Sequence, residues 1–263
     1  MSLRINSNVD ALEAHRMLAR TSDAVSQSME RLSSGLRINK AADDAAGLGI
    51  SEKMRGQING LAQAQRNIQD GVSMVQTAEG NLDEVHSILQ RVRELAVQYK
   101  NGSLSQSGKD AITSEVNALT SEIDRIQKSA SFNGITLLGS DTGVTFQVGA
   151  NDSDNITVTF GKAAVSSTYD LSDAAILSTI DSDIDKVSAT RANFGAVQNR
   201  LDHALAVAGS YQENLTSAES RIRDVDMADE MVNLTKNQIL QQAGTAMLAQ
   251  ANQAPQAVLQ LLR

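Results

Sequence analysis

From Asp44 to Tyr99 the chain runs without a proline, and apolar side chains return along the whole stretch at mostly three- or four-residue spacing. Met54, Ile58, Leu61, Ile68, Val72, Val75, Leu82, Leu89, Val92, Ala96 and Tyr99 carry the stripe, and Gln65, Glu79 and His86 fill three of its positions. That period gives a helix one apolar face. At 1.5 Å per residue the helix would be about 84 Å long. Such length without an internal stop implies a coiled-coil rod, and the rest of the chain must supply partners for it.

A second long stripe offers one: Ile180, Ile184, Val187, Phe194, Val197, Leu201, Leu205, Ala208, Leu215, Ala218 and Ile222. Between the two, "NGSLSQSG" (101–108) has turn composition, and Ile112, Val116, Leu119, Ile123 and Ile126 form a shorter stripe that can fold back. "FNG" (132–134) ends that helix and period two takes over. "ITLL", "VTFQVG" and "ITVTF", separated by "GSDTG" and "ANDSDN", predict a small β-element over 135–160. "GKAAVSSTYDLSD" then reads as a surface loop, with Ser172 as a helix cap.

Both ends are helical by pattern. Residues 5–33 hold Ile5, Val9, Leu12, Ala14, Leu18, Val25, Met29 and Leu32 on one face. Gly35 in "SSGLRIN" breaks that helix, and Asp43 and Asp44 mark the next start, where carboxylates meet the positive end of the helix dipole. The other end carries "NQILQQAGTAMLAQANQAPQAVLQLL" (237–262), 26 residues without one charge. Leu240, Ala243, Met247, Ala251, Ala254, Val258 and Leu261 stripe it at helical spacing, and Pro255 should kink it or mark its last turns. Seven glutamines and two asparagines keep it short of the roughly 18 continuous apolar residues of a membrane span. Alone it buries too little to offset the ordering of its backbone. It needs neighbours on more than one side, and the N-terminal helix is the first candidate.

Composition narrows the function. Aromatics are 3% and tryptophan is absent, which suits long helices packed along their length. A formal charge of −8 argues against nucleic acid, whose binding needs clustered Lys and Arg. Without cysteine there is no disulfide, zinc ribbon or thiol nucleophile. The opening residues show no basic stretch followed by an apolar core, so no cleaved signal is expected there. "GLGI" (47–50) lacks phosphate-binding spacing, and His15, His86 and His203 lack metal-ligand spacing. Asp43 and Asp44 read as a helix start, not an acid/base couple. No enzyme, cofactor or metal is expected.

Several motifs then carry a resemblance. "LRINSN" near the start, "ERLSSGLRINKAADDAAGLGISEKMRGQI" (30–58), "QRVRELAVQ" (90–98), "SFNGITLL" (131–138), "FQVGAND" (146–152), "GAVQNRL" (195–201), "LTSAESRIRDVDMADE" (215–230) and "ILQQAGTAMLAQANQAPQAVLQLLR" (239–263) resemble bacterial flagellin, in order and over nearly the whole chain. The resemblance implies a mainly α fold: a long antiparallel helical, coiled-coil rod with a small β-hairpin element and paired N- and C-terminal helices. Residues 1–42 and 224–263 would form the inner filament-core domain, and 43–223 the helical rod domain. The outer variable domains of longer flagellins would be missing, since only residues 161–183 separate the hairpin from the returning helix.

Function follows from the same resemblance: a secreted subunit that polymerises with copies of itself into the extracellular flagellar filament for motility. Assembly would rest on Ile5, Val9, Leu12, Leu240, Met247, Val258 and Leu261. Further implied partners are an export chaperone and the flagellar export apparatus, the hook-associated and cap proteins, and a host Toll-like receptor, with no membrane insertion. Arg91, Leu95, Gln98 and Glu115 match the family positions implicated in that recognition. Arg91, Leu95 and Gln98 are four and three residues apart, on one helix face, which would serve first to pack neighbouring subunits. The Ser/Thr-rich stretch 166–182 reads as a solvated loop, with O-glycosylation as the alternative. Two rival readings are the related hook–filament junction protein and a secreted membrane-active helical effector. The second is disfavoured because the tail carries glutamine where interfacial anchors carry Lys or Arg.

Overall fold

Local signals set the helix ends. The computed structural model describes residues 8–139, 142–161 and 164–261, with side chains except those of Thr142 and residues 254–261. Helix α1 (Val9–Ser34) starts where Asn8 Oδ1 accepts from the Ala11 amide at 3.0 Å, and stops where Gly35 turns to φ +73. Only glycine takes that left-handed turn without steric cost. Helix α2 (Ala45–Tyr99) is capped by Asp44, whose Oδ1 accepts from the Gly47 amide at 2.8 Å. Asp43 closes the turn before it, accepting from the Asn39 and Lys40 amides, and these bonds hold its carboxyl below the ordinary range. Ser105 caps α3 (Gln106–Ser129), so this helix starts inside the stretch expected to be turn. Helices α4 (Ile176–Arg223) and α5 (Met227–Leu261) complete the set, and α5 runs through Pro255.

Four short strands form two antiparallel hairpins. β1 (Ser131–Phe132) pairs with β2 (Ile135–Thr136), and β3 (Thr142–Gln147) pairs with β4 (Asn155–Phe160). "FNG" is not the end of α3, which stops at Ser129; it contains the tip of the first hairpin. Asn133 and Gly134 sit at φ +46 and +80, the two successive positive angles of a two-residue turn that Asn-Gly favours. Leu137 and Leu138, expected in a strand, are buried beyond its end. Ser172 is no cap either. Its hydroxyl donates to the Asp170 carboxylate at 2.5 Å, while Asp173 accepts from the Ala175 amide just before α4. A neighbouring carboxylate is the stronger acceptor and takes the hydroxyl away from the helix start.

The chain divides into two compact units, residues 57–214 and residues 1–56 with 215–263. In the first, the buried face of α2 is a seam of Leu61, Ala64, Ile68, Gly71, Val75, Ala78, Leu82, Val85, Leu89, Val92 and Ala96. Steps of three and four alternate without exception, the period of a coiled coil. Gln65, Val72, Glu79 and His86, expected in the stripe, lie one residue further on and are half-buried. The small residues Ala64, Gly71 and Ala78, with Val85, hold the seam instead. The flanking polar side chains reach α4: Gln65 donates to Gln212 at 2.6 Å, Arg191 pairs with Asp83 at 2.8 Å and Arg93 with Asp181 at 2.5 Å. Residue numbers rise on α2 as they fall on α4, so the two helices are antiparallel. Phe194 of α4 meets Phe160 of β4 with ring centres 5.6 Å apart. β3 lies over a glycine gap in α2, where a Cβ on Gly71 would come within 3.2 Å of the Phe146 ring.

Candidate functional site

In the unit formed by the two chain ends, α1 and α5 run antiparallel. Asn8 Nδ2 donates to the Ala251 carbonyl at 2.8 Å, Leu18 stands against Gly244, and Arg31 meets Glu230 at 3.7 Å. Where α1 and α4 end, two extended segments clasp. Leu36 and Asp224 form a β-bridge, with the Arg37 amide on the Arg223 carbonyl at 2.6 Å and the Val225 amide on the Gly35 carbonyl at 3.0 Å. Arg223 then pairs with Glu52 at 2.6 Å, and this bond holds the Glu52 carboxyl below its ordinary range. Asp226 begins α5 by accepting from the Ala228 amide.

This unit hides little apolar surface. Among its described residues Ile38 and Leu234 are the buried hydrophobic side chains, whereas Val9, Leu12, Met17, Met29, Ile50, Met227, Met231, Val232, Ile239, Leu240 and Met247 are 48–67% exposed. Met231, Val232, Thr235, Lys236, Ile239 and Leu240 line one open apolar depression along α5. Met231, Val232, Ile239 and Leu240 thus form one exposed apolar cluster, and such clusters mark interaction surfaces. Of the residues expected to drive assembly, Val9 and Leu12 on α1 and Leu240 and Met247 on α5 are all exposed. Ile5 and the side chains of Val258 and Leu261 lie outside the described residues.

The other expected patch lies across α2 and α3. Arg91 pairs with Glu115 of α3 at 3.0 Å and with Glu94 at 3.2 Å, and both carboxylates raise its already high pKa. Gln98 is exposed, and so is Val97 beside it. Leu95, on the same helix, is buried at 2% exposure. The structure therefore brings Arg91 and Glu115 into direct contact, leaves Gln98 open to solvent, and gives Leu95 to the core.

One polar cluster escaped the sequence reading. Asp183 of α4, 1% exposed, accepts from the Tyr169 hydroxyl and the Ser166 amide, each at 2.9 Å, and from Lys186 at 2.8 Å. Burial pushes its carboxyl up, but the bonds from Lys186, Ser166 and Tyr169 outweigh it and hold the pKa below the usual value. The Tyr169 hydroxyl is pushed far up, by burial and then by the carboxylate it faces. With Lys100 donating to the Ala174 carbonyl at 2.7 Å, the cluster straps the expected surface loop onto the helices and buries Tyr169 and Leu171. The signal was an acidic residue at an apolar stripe position, since Asp183 falls between Ile180 and Val187 at the burial spacing of α4. Among the described residues no three His, Cys, Asp or Glu side chains converge as a metal site requires, and no helix is long and apolar enough to cross a membrane.

Comparison with known proteins agrees with this geometry. Residues 5–142 match the pattern of the bacterial flagellin N-terminal helical region, and residues 177–262 that of the C-terminal helical region. The chain is 51% identical to a flagellin of Halalkalibacterium halodurans, covering 98% of this chain and 99% of that one. It is 47% identical to a flagellin of Bacillus subtilis, covering 99% and 100%. The crystal structure of Bacillus cereus flagellin superposes with a TM-score of 0.50 at 31% identity, over 54% of this chain and 88% of that one.

Proposed function

The chain belongs to the bacterial flagellin family and is a structural subunit of the flagellar filament, and we propose that it polymerises by mutual burial of α1 and α5. It is a short form, with residues 161–175 joining β4 to α4 where longer members carry outer domains. The observation that carries the mechanism is the imbalance in the unit built from the two ends. Its α1–α5 pair leaves most of its large apolar side chains in water, a state that copies of the same chain relieve by covering one another. The uncharged stretch 237–262 is then tolerable because neighbouring subunits supply the burial it lacks alone. The paired end helices, about 1–42 and 224–263, serve as the filament-core domain, and 43–223 as the helical rod domain.

Before assembly, the same exposed α5 surface is what an export chaperone covers on the way to the flagellar export apparatus. The hook-associated and cap proteins meet the two filament ends. The face around Arg91, Gln98 and Glu115 packs neighbouring subunits first. A host Toll-like receptor reads it on the monomer through the Arg91–Glu115 pair and Gln98, with buried Leu95 supporting the helix beneath. The work of the protein is mechanical: a rotated helical propeller.

Seeded growth tests this. Purified full-length chain and a truncation ending at Lys236 are each mixed with short filament fragments and followed by negative-stain electron microscopy. Long filaments from the full-length chain alone support the proposal. Capped seeds without elongation would point to a junction protein, and tight binding of the monomer to liposomes to a membrane-active effector.

A further inference from the structure

The chain contains three Asn-Gly pairs, Asn59-Gly60, Asn101-Gly102 and Asn133-Gly134, and the fold places them in three different backbone settings. All three asparagines are exposed, so access to water does not distinguish them. Asn-Gly is the dipeptide most prone to intramolecular cyclisation, because glycine leaves its own amide nitrogen unshielded. That nitrogen attacks the asparagine Cγ, ammonia leaves, and water opens the resulting succinimide to aspartate or isoaspartate. The step needs only water and hydroxide. What it also needs is a backbone free to bring the following nitrogen onto Cγ.

Asn59 lies inside α2, and Gly60 packs there against Ala150, with a built Cβ only 3.2 Å from the Ala150 Cβ. Helical backbone holds the Gly60 nitrogen away from the side chain, and the packing resists local opening. Asn133 and Gly134 are fixed at φ +46 and +80 between the paired residues Phe132 and Ile135, immediately before buried Leu137 and Leu138. Rotating that turn into the reactive shape would break the hairpin. Asn101 is different. It belongs to the exposed link between the end of α2 at Tyr99 and the cap Ser105. Its Oδ1 accepts from the Ser103 amide at 3.2 Å, so the carboxamide is already folded back across the Gly102 peptide. The same bond draws electron density from the carbonyl and makes Cγ more open to attack.

We propose that Asn101 is a site of spontaneous deamidation in the folded protein, and that Asn59 and Asn133 are protected by their backbone settings. The product places a new carboxylate, or an isoaspartyl linkage with one extra backbone carbon, in the connection between α2 and α3.

Full-length protein is incubated in alkaline buffer, digested, and read by peptide mass spectrometry for the gain of one mass unit at each asparagine. The folded chain should convert Asn101 at least several-fold faster than either other site, and in concentrated urea the three rates should converge. The Gly102→Ala variant adds the control. A Cβ there meets nothing within 4 Å, so the fold is retained while the nucleophile is hindered. It should suppress conversion at Asn101 and leave the other two sites unchanged. Equal rates at the three sites in the folded chain, a difference that persists in urea, or an unaltered rate in Gly102→Ala would each overturn the proposal.

Discussion

At Asp183 a single carboxylate decides the placement of the connection between β4 and α4, residues 161–175, and it does so as an ionised group in a buried site. Asp183→Asn keeps the shape but weakens three bonds to a charged acceptor, each of a kind worth about 1.5–3 kcal/mol. Lys186 is half exposed and recovers water, so the expected loss is about 2–3 kcal/mol, dominated by Tyr169 and Ser166. The folded pKa of Asp183 lies below its ordinary value. The stabilisation it provides is therefore complete above the unfolded pKa of about 3.9 and is lost as pH falls through the lower folded pKa. Thermal unfolding of the parent and Asp183→Asn across pH should show a constant gap at neutral pH that narrows below about pH 4. A gap independent of pH would mean that the charge is irrelevant to the strap.

Among the elements, α2 shows how a periodic sequence is read and misread. Its length and both ends were legible, because no proline interrupts it and Asp44 caps it. Its seam was displaced at four points: Ala64, Gly71 and Ala78 look too small to mark a core, and Val85 was passed over for His86 one residue on. Yet Ala64 and Ala78 are fully buried, and Gly71 is where the Phe146 ring of β3 lies against the helix. Small seam residues and a polar neighbour one step on make the apolar count ambiguous, and only the packed partner resolves it. The Asn-Gly hairpin was hidden for a different reason: two-residue strands are too short to show period two. Asp183 was hidden because an isolated acid in a stripe looks like a defect until Tyr169 and Ser166 arrive beside it.

The same packing makes the element-scale predictions sharp. Phe194→Ala removes the partner of Phe160 from a fully buried site and should cost about 3–5 kcal/mol. Gly71→Val places branched carbons into the Phe146 ring and should destabilise by about 1–3 kcal/mol through overpacking. Denaturant unfolding measures both, and Gly80→Ala, where a Cβ meets nothing, is the matched control that should be neutral or slightly stabilising.

For the whole molecule, folding and assembly load different residues. The unit of residues 57–214 has its own buried seam, while the unit of the chain ends leaves eleven large apolar side chains exposed. Ile239 is 61% exposed within the apolar depression on α5, so a charge there costs the monomer little. Ile239→Asp should change monomer stability by no more than about 0.5 kcal/mol, the usual range for surface substitutions. In a filament the same carboxylate would have to be desolvated among apolar neighbours, which an unpaired charge strongly resists. Seeded elongation should therefore fail while circular dichroism and thermal unfolding of the monomer stay at the parent values. Ile239→Ala, which removes area without adding charge, should elongate more slowly than the parent but still grow. If Ile239→Asp elongates at the parent rate, α5 does not bury this face in the polymer. The exposed apolar surface of the end unit would then need another occupant.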